Sequence, residues 1–340
     1  MKSLTGILVF ILVVPFLATA SPLGLAGAYN EFVFGDIDLR STDAFGGVAA
    51  GGNVYFENVS VASKVAPPLA TGDLLVGNDL FFDAGSVGFF PENDSGNPAY
   101  KKGSIVTGGA ATFGQNSGFS NVAFGSLQEN QPVGDLFKSA RDHLTGLSSF
   151  WRTLPSNGTS QIDFGGDVVT LMGTDPKLNI FSLNTADIGQ HIRFEFVAPE
   201  TSTILVNVGG TSGGLQNFGF FFNGLEGDKD EAGFFPDERI LYNFYEADFL
   251  EIASIEVHGS VLAPWAEVLF YNGHIEGNLI ARSLAGDSTG VYTGGEAHDE
   301  YFEGELPYEP VPEPGTIFLA GGGLLLLALV GRCRWVDLSV

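Results

Sequence analysis

Cysteine is almost missing from this chain: one residue, Cys333, in 340. It stands in a C-terminal arginine-bearing tail and is read as inert, so residues 21–307 contain no disulfide and no thiolate metal site. Stability must therefore come from burial and hydrogen-bond ladders. Positive charge is scarce as well, with 15 Lys and Arg against 40 Asp and Glu and a formal net charge of −25. Such a chain repels phosphate, which excludes nucleic acid as a partner. Divalent cations, basic surfaces and neutral sugars remain open, and solubility alone also accounts for the charge. No Gly-x-Ser-x-Gly elbow, no Gly-Lys-Ser/Thr after a glycine-rich turn and no His-Glu-x-x-His occurs. A hydrolase elbow, a phosphate loop and a helical zinc site are thus unsupported. No catalytic residue, metal ligand or cofactor is assigned, and the protein is expected not to be an enzyme.

Long apolar runs are confined to the two ends. Lys2, the run Leu4 to Leu17 and the small residues Ala18-Thr19-Ala20 form a secretion signal over residues 1–20, cleaved before Ser21. Near the other end, Pro312-Glu313-Pro314 lies in a stiff linker over 308–315. An apolar stretch over 316–330 follows, then a basic tail over 331–340 with Arg332 and Arg334. The stretch is short for a durable span, and the arginines hold that end on the cytoplasmic side as a membrane stop. This ordered trio resembles the PEP-CTERM sorting signal, which exosortase-type membrane proteases read in Gram-negative bacteria that make exopolysaccharide. The resemblance implies export through the inner membrane, removal of the tail near Pro312-Glu313-Pro314, and arrival at the cell surface or extracellular matrix.

What is abundant between these ends is glycine, 47 residues, and phenylalanine, 30. Charged residues make up only 16 %, so the body is neither disordered nor highly helical. Val48-Ala49-Ala50-Gly51-Gly52-Asn53-Val54 recurs as Leu74 to Leu80 and again as Ile105 to Ala111. Near the end, Val257, Gly259, Val261, Leu262 and Ala263 recur 18 residues on as Ile275, Gly277, Leu279, Ile280 and Ala281. Short β-prone runs with glycine between them indicate a β-helix-like solenoid of stacked strands. Glycine would supply positive φ at the corners, and Asn53 and Asn78 would make turn-stabilising side-chain bonds. A β-sandwich also has short strands and many turns and stands as the alternative.

One segment departs from this pattern. Leu136, Phe137, Ala140, Leu144, Leu147 and Trp151 recur at three- and four-residue steps, which predicts an amphipathic helix near 135–154. Asp135 would cap it and Pro155 would end it, and its apolar face would cover a flank or an open end of the β stack. Further strands are expected over 192–197, 203–208, 218–222 and 240–244.

The body as a whole resembles the choice-of-anchor A domain. The resemblance is carried by Phe34-Gly35-Asp36, the block Gly47 to Asn53, Leu154-Pro155-Ser156-Asn157-Gly158, the block Ile240 to Ala247, and Val261-Leu262-Ala263-Pro264. Gly277 to Ser283, Gly295-Glu296-Ala297-His298 and Phe302 to Pro307 complete it. It implies an exported adhesive protein with a β-helix-like fold over residues 21–307.

Candidate chemistry is sparse. His274 and Glu276 share one strand face, as do Glu296 and His298; the first pair reads as strand surface in preference to a metal site, the second as a domain-closing hydrogen bond in preference to an acid/base pair. Asp228 and Asp230 open like a calcium loop, but the pattern fails at Ala232 and Arg239, so calcium is at most a weak expectation there. Tyr242, Tyr245, Trp265 and Tyr271 are candidates for stacking on sugar rings. Three functions follow: an adhesin associated with exopolysaccharide or a neighbouring cell surface; a polysaccharide-cleaving enzyme relying on Arg193, Arg239 and Arg282; and ice binding, for which only Thr201 and Thr203 approach a threonine rank.

Overall fold

The apolar triplets and their spacing are explained by the way the strands stack. In the computed structural model, residues 21–64, 69–89, 101–114, 121–163, 168–188, 193–227, 235–289 and 291–308 are described. The expected signal over 1–20, Asp228, Asp230, Pro312, Glu313, Pro314, the stretch 316–330, Arg332, Cys333 and Arg334 lie outside them. Among the described residues no helix is long and apolar enough to cross a membrane. Two units are distinguished, Met1–Leu306 and Pro307–Val340, and all the architecture below belongs to the first.

That unit is mainly β, with one 22-stranded and one 5-stranded sheet. Pairing in the large sheet is almost wholly parallel, so the β-sandwich alternative does not hold. Successive coils of the chain lie on one another and present three faces. On the first face the repeats pair at the offsets read from the sequence. Val48 lies beside Leu74 and Leu74 beside Ile105; Val261, Leu262 and Ala263 lie beside Leu279, Ile280 and Ala281.

The order of coils in space is not their order in sequence. Glu31–Val33 pairs with Val48–Ala50 on one side and with Leu279, Ile280 and Ala281 on the other. The chain therefore enters in mid-stack and winds outward through Leu74–Val76 and Ser104–Thr107 to Ser126–Gln128. It then returns through α1, Gly134–Trp151, and starts again at the opposite end with Leu178–Asn184. From there Thr203–Gly209, Ile240–Phe244 and Ser260–Tyr271 wind inward to the seam.

The returning helix lies on a flank, over the first face. Phe137, Ala140, Leu144, Leu147 and Trp151 are buried, while Leu136 is exposed. The Phe137 ring meets Phe32 at 5.4 Å. At the other end Asn207 donates to the Trp151 carbonyl at 2.9 Å and Asn243 to the Ser148 carbonyl at 3.0 Å. The same carbonyls accept from Leu154 and Arg152 N–H, so each takes a second bond in the last turn of the helix. From Phe137 to Trp151 the helix advances about 21 Å; four strand steps, Phe32 to Asn207, span about 19 Å. The match lets the helix contact each coil it crosses. The strands beneath the helix, Glu31–Val33, Thr203–Gly209 and Ile240–Phe244 among them, are thus buried on both sides and read as continuous runs that do not alternate. Asp135 does not cap the helix: the N-cap residue is Val133, without a side-chain bond. Asp135 sits in the first turn, where its charge favours the helix dipole.

Two corner expectations change. Gly77 does not have the positive φ anticipated, whereas Gly259 has φ +105°. A Cβ on Gly77 would overlap the Gly51 carbonyl oxygen of the coil beneath, so glycine is required there by close backbone stacking. Asn53 makes the expected side-chain bond, accepting from the Asp79 N–H at 3.3 Å. Asn78 holds the next coil only through its backbone, accepting from Gly109 N–H at 2.9 Å.

Candidate functional site

The second face is built by Ile37–Ala44, Val54–Val61, Leu80–Phe82 and Ala111–Phe113, in register. Alternation sends Ile37, Leu39, Val54, Phe56, Leu80 and Phe82 inward, all buried. It sends Asp38, Arg40, Tyr55, Glu57, Phe81 and Thr112 outward. Their register is pinned at the strand entrance by stacked side chains. Asp36 Oδ1 accepts from Asn53 N–H at 2.6 Å, and Asp79 Oδ1 from Ala110 N–H at 2.8 Å.

This alternation places two large rings in water. Tyr55 is 42 % and Phe81 41 % exposed. They lie on adjacent coils with centroids 5.0 Å apart and planes within 2°. A groove of about 290 Å³ surrounds them, lined also by Asp38, Arg40, Glu57, Asp83, Thr112 and Gly114. Among the described residues Arg40 is its only cation, within 3.9 Å of Asp38 and 3.7 Å of Glu57. The groove therefore offers apolar ring faces beside carboxylates. In successive coils the outward row reads Leu269, Ala285, Asp38, Tyr55, Phe81, Thr112; no residue type repeats along it.

The aromatics anticipated from sequence behave differently from one another. Tyr242 is fully buried. Its ring lies among Phe194, Phe196 and Phe220 of the five-stranded sheet, and its hydroxyl donates to the His258 carbonyl at 3.0 Å. It cannot meet a sugar. Tyr245, Trp265 and Tyr271 are half-buried. Tyr271 stacks on the exposed Tyr292 at 5.4 Å and donates to Glu251 at 2.6 Å, a bond that pushes its hydroxyl up to about 12. Thr203 is also buried, and its hydroxyl oxygen accepts from Glu305 N–H. It therefore forms no surface rank with Thr201. The three arginines are dispersed and engaged: Arg193 with Glu195 at 2.9 Å, Arg239 with Glu238 at 3.3 Å, Arg282 with Glu267 at 3.5 Å.

The third face carries what the sequence reading had kept apart. Glu256–His258, His274–Glu276 and Glu296–His298 are adjacent parallel strands. His298 Nδ1 lies 2.5 Å from Glu276 Oε1. Burial alone would lower the His298 ring, but the hydrogen bond to Glu276 and the Glu296 carboxylate 3.7 Å away outweigh it and push the ring up to about 9. His258 Nδ1 pairs with Asp237 at 2.9 Å; burial raises the Asp237 carboxyl to about 6, against the lowering pull of His258. His274, Glu276 and His298 offer ligand atoms within 4.8 Å of one another and are the residues with metal-binding capacity among those described.

A stack of parallel coils with a helix laid along one face and an open aromatic groove on another defines a β-helix-like class of fold. A family model described as "Putative Ice-binding-like adhesive domain" matches residues 22–298. The chain belongs to that family, and so carries an ice-binding-like adhesive domain of the kind borne by extracellular or surface-associated proteins. No curated protein matches it. Among solved structures it is similar to an ice-binding protein from an Antarctic biological consortium, at 12 % identity and TM-score 0.36 over 81 % of this chain and 88 % of that one. It is also similar to one from the Antarctic ascomycete Antarctomyces psychrotrophicus, at 10 % and 0.33 over 81 % and 96 %. A third is from an Arctic yeast, at 11 % and 0.35 over 86 % and 96 %.

Proposed function

We propose that the protein is an exported cell-surface or matrix adhesin that holds neutral polysaccharide through the groove around Tyr55 and Phe81. The observation that carries this reading is the pair of exposed, near-parallel rings on a rigid parallel sheet. Each ring keeps one face clear of the other, and a sugar's C–H face stacks on such a surface while Asp38, Glu57 and Asp83 accept from its hydroxyls. Three carboxylates against one arginine disfavour polyanions. The unrepeated outward row favours a sugar polymer over ice. Export by the residue 1–20 signal and exosortase-type sorting at Pro312-Glu313-Pro314 rest on the sequence and the choice-of-anchor A and PEP-CTERM resemblances. They give the adhesin its place at a Gram-negative surface.

The test is retention of the producer's exopolysaccharide, and of neutral and anionic glycans, on immobilised protein. Wild type retains the neutral polymer without shortening it. Tyr55→Ala and Phe81→Ala each weaken retention by about 1–3 kcal/mol, the scale of a lost ring stack with its buried area. Retention unchanged in both variants, or the appearance of new reducing or unsaturated ends, would overturn the reading.

A further inference from the structure

The third face contains a chain of alternating imidazoles and carboxylates. In register, Glu256 lies beside His274 and His274 beside Glu296, while His258 lies beside Glu276 and Glu276 beside His298. Each histidine thus has a carboxylate on the next coil. His258 Nε2 is 3.8 Å from Glu256 Oε1, and His274 Nε2 is 3.1 Å from Glu256 Oε1 and 3.6 Å from Glu276 Oε1. His298 closes the chain, 2.5 Å from Glu276 and 3.7 Å from Glu296.

We propose that His274, Glu276 and His298, with Glu256 at their margin, bind a divalent transition-metal ion of the Zn2+ class. Three observations converge on it. The His274 Nε2 separations of 3.1 and 3.6 Å from two carboxylate oxygens bracket the edge of a tetrahedron with zinc-length bonds, about 3.3 Å. Two ring nitrogens, His274 Nε2 and His298 Nε2, are buried and meet carboxylates only off-axis or beyond hydrogen-bond length, His274 at 3.1 Å from Glu256 and His298 at 3.7 Å from Glu296; His298 as a whole is only 9 % exposed. A buried ring nitrogen without a well-formed partner is costly, and a metal ion that takes the place of its proton removes that cost. The donor set is imidazole plus carboxylate, which suits zinc, nickel or copper and not the all-oxygen shell of calcium.

Binding has a structural requirement. The His274 and His298 rings stack at 4.7 Å with planes 14° apart, so one ion cannot lie in both ring planes. The metal takes His274 and Glu276 where they stand. His298 turns out of its stack, and the proton that it shares with Glu276 leaves to solvent as the metal–ligand bond forms. Phe45, stacked on the far side of His298 at 4.1 Å, forms the apolar wall against which that ring moves.

The experiment uses the whole protein stripped with a chelator, then titrated with ZnCl2 by calorimetry and followed by thermal unfolding. Stoichiometric binding with proton release and a raised Tm is expected, with no comparable response to CaCl2. His274→Ala and Glu276→Gln weaken Zn2+ affinity by on the order of 100-fold. His143→Asn leaves it unchanged, because His143 sits on the helix against the Pro22 carbonyl. Should either site variant fail to fold, Co2+ added to wild type reports directly: intense visible d–d bands mark a four-coordinate site with nitrogen donors. Absence of saturable Zn2+ binding to wild type, or affinity indifferent to both site substitutions, overturns the proposal.

Discussion

Glu31 shows how one residue can make the whole fold sensitive to pH. It lies in the seam strand, wholly buried, and burial raises its carboxyl from 4.5 to about 8, with Asp43 adding to the shift. In the unfolded chain this group ionises near its ordinary value; in the folded chain it keeps its proton until about pH 8. Its favourable contribution is therefore complete at acid pH and is lost as pH rises through that window. Glu31→Gln, which keeps the shape without the charge, should flatten the pH dependence of unfolding free energy between these values. Above pH 8 it should stabilise the protein by a few kcal/mol. Urea denaturation at pH 5, 7 and 9 checks both. At this scale the sequence was partly legible. Val48, Leu74 and Ile105 were placed correctly because the same apolar–glycine pattern marks each of the stacked partners. Tyr242 was misplaced, since alternation reports which side of a strand a residue occupies, not whether a second sheet covers that side.

Among the elements, α1 is bound to the coils by polar groups as well as by its apolar stripe. Asn243 donates to the Ser148 carbonyl and to Asn207 Oδ1, and its own Oδ1 accepts from the Ser148 hydroxyl at 2.6 Å. All three residues are buried. Asn243→Ala leaves donors and acceptors without partners away from water and should cost about 1–3 kcal/mol, read as a lower denaturation midpoint at unchanged m-value. The helix itself was evident from its period, and its bounds differ from expectation mainly at the C-terminal end. Its destination was not evident, because an apolar stripe specifies burial without naming the surface that buries it. The histidine–carboxylate strands stayed separate in the sequence for a related reason. Glu256 and His274 are 18 residues apart, but His274 and Glu296 are 22, since the turn containing Asp287 lengthens one coil. Asp287 organises that turn by accepting from the Thr289 hydroxyl and from Val291 and Tyr292 N–H groups.

For the molecule as a whole, the non-sequential order of coils has the largest consequence for folding. Two half-stacks, one from each part of the chain, meet at Glu31–Val33, whose partners on one side lie almost the whole length of the domain away in sequence. Such pairing closes late and slowly, because loop entropy must be lost before the contacts form. Deleting residues 21–35 should leave the edges of Val48–Ala50 and Leu279–Ala281 unpaired. Light scattering should then show aggregation at concentrations where the full chain is monodisperse. This seam carried no local signal in the sequence. Its strand is three residues long, and its nearest spatial neighbours follow no repeat period.

The same seam sets a load path. Tyr55 and Phe81 belong to the half-stack built from the beginning of the chain, whereas the chain leaves the domain at Leu306 from the half built last. If the proposed adhesin role holds, tension between a polymer held at the rings and the end of the domain at Leu306 would cross the parallel pairing that Glu31–Val33 and Ile37–Ala44 make with the last-built strands, backed by the helix spliced across both halves. The joint that assembles last is therefore the one that a pulling cell would strain first.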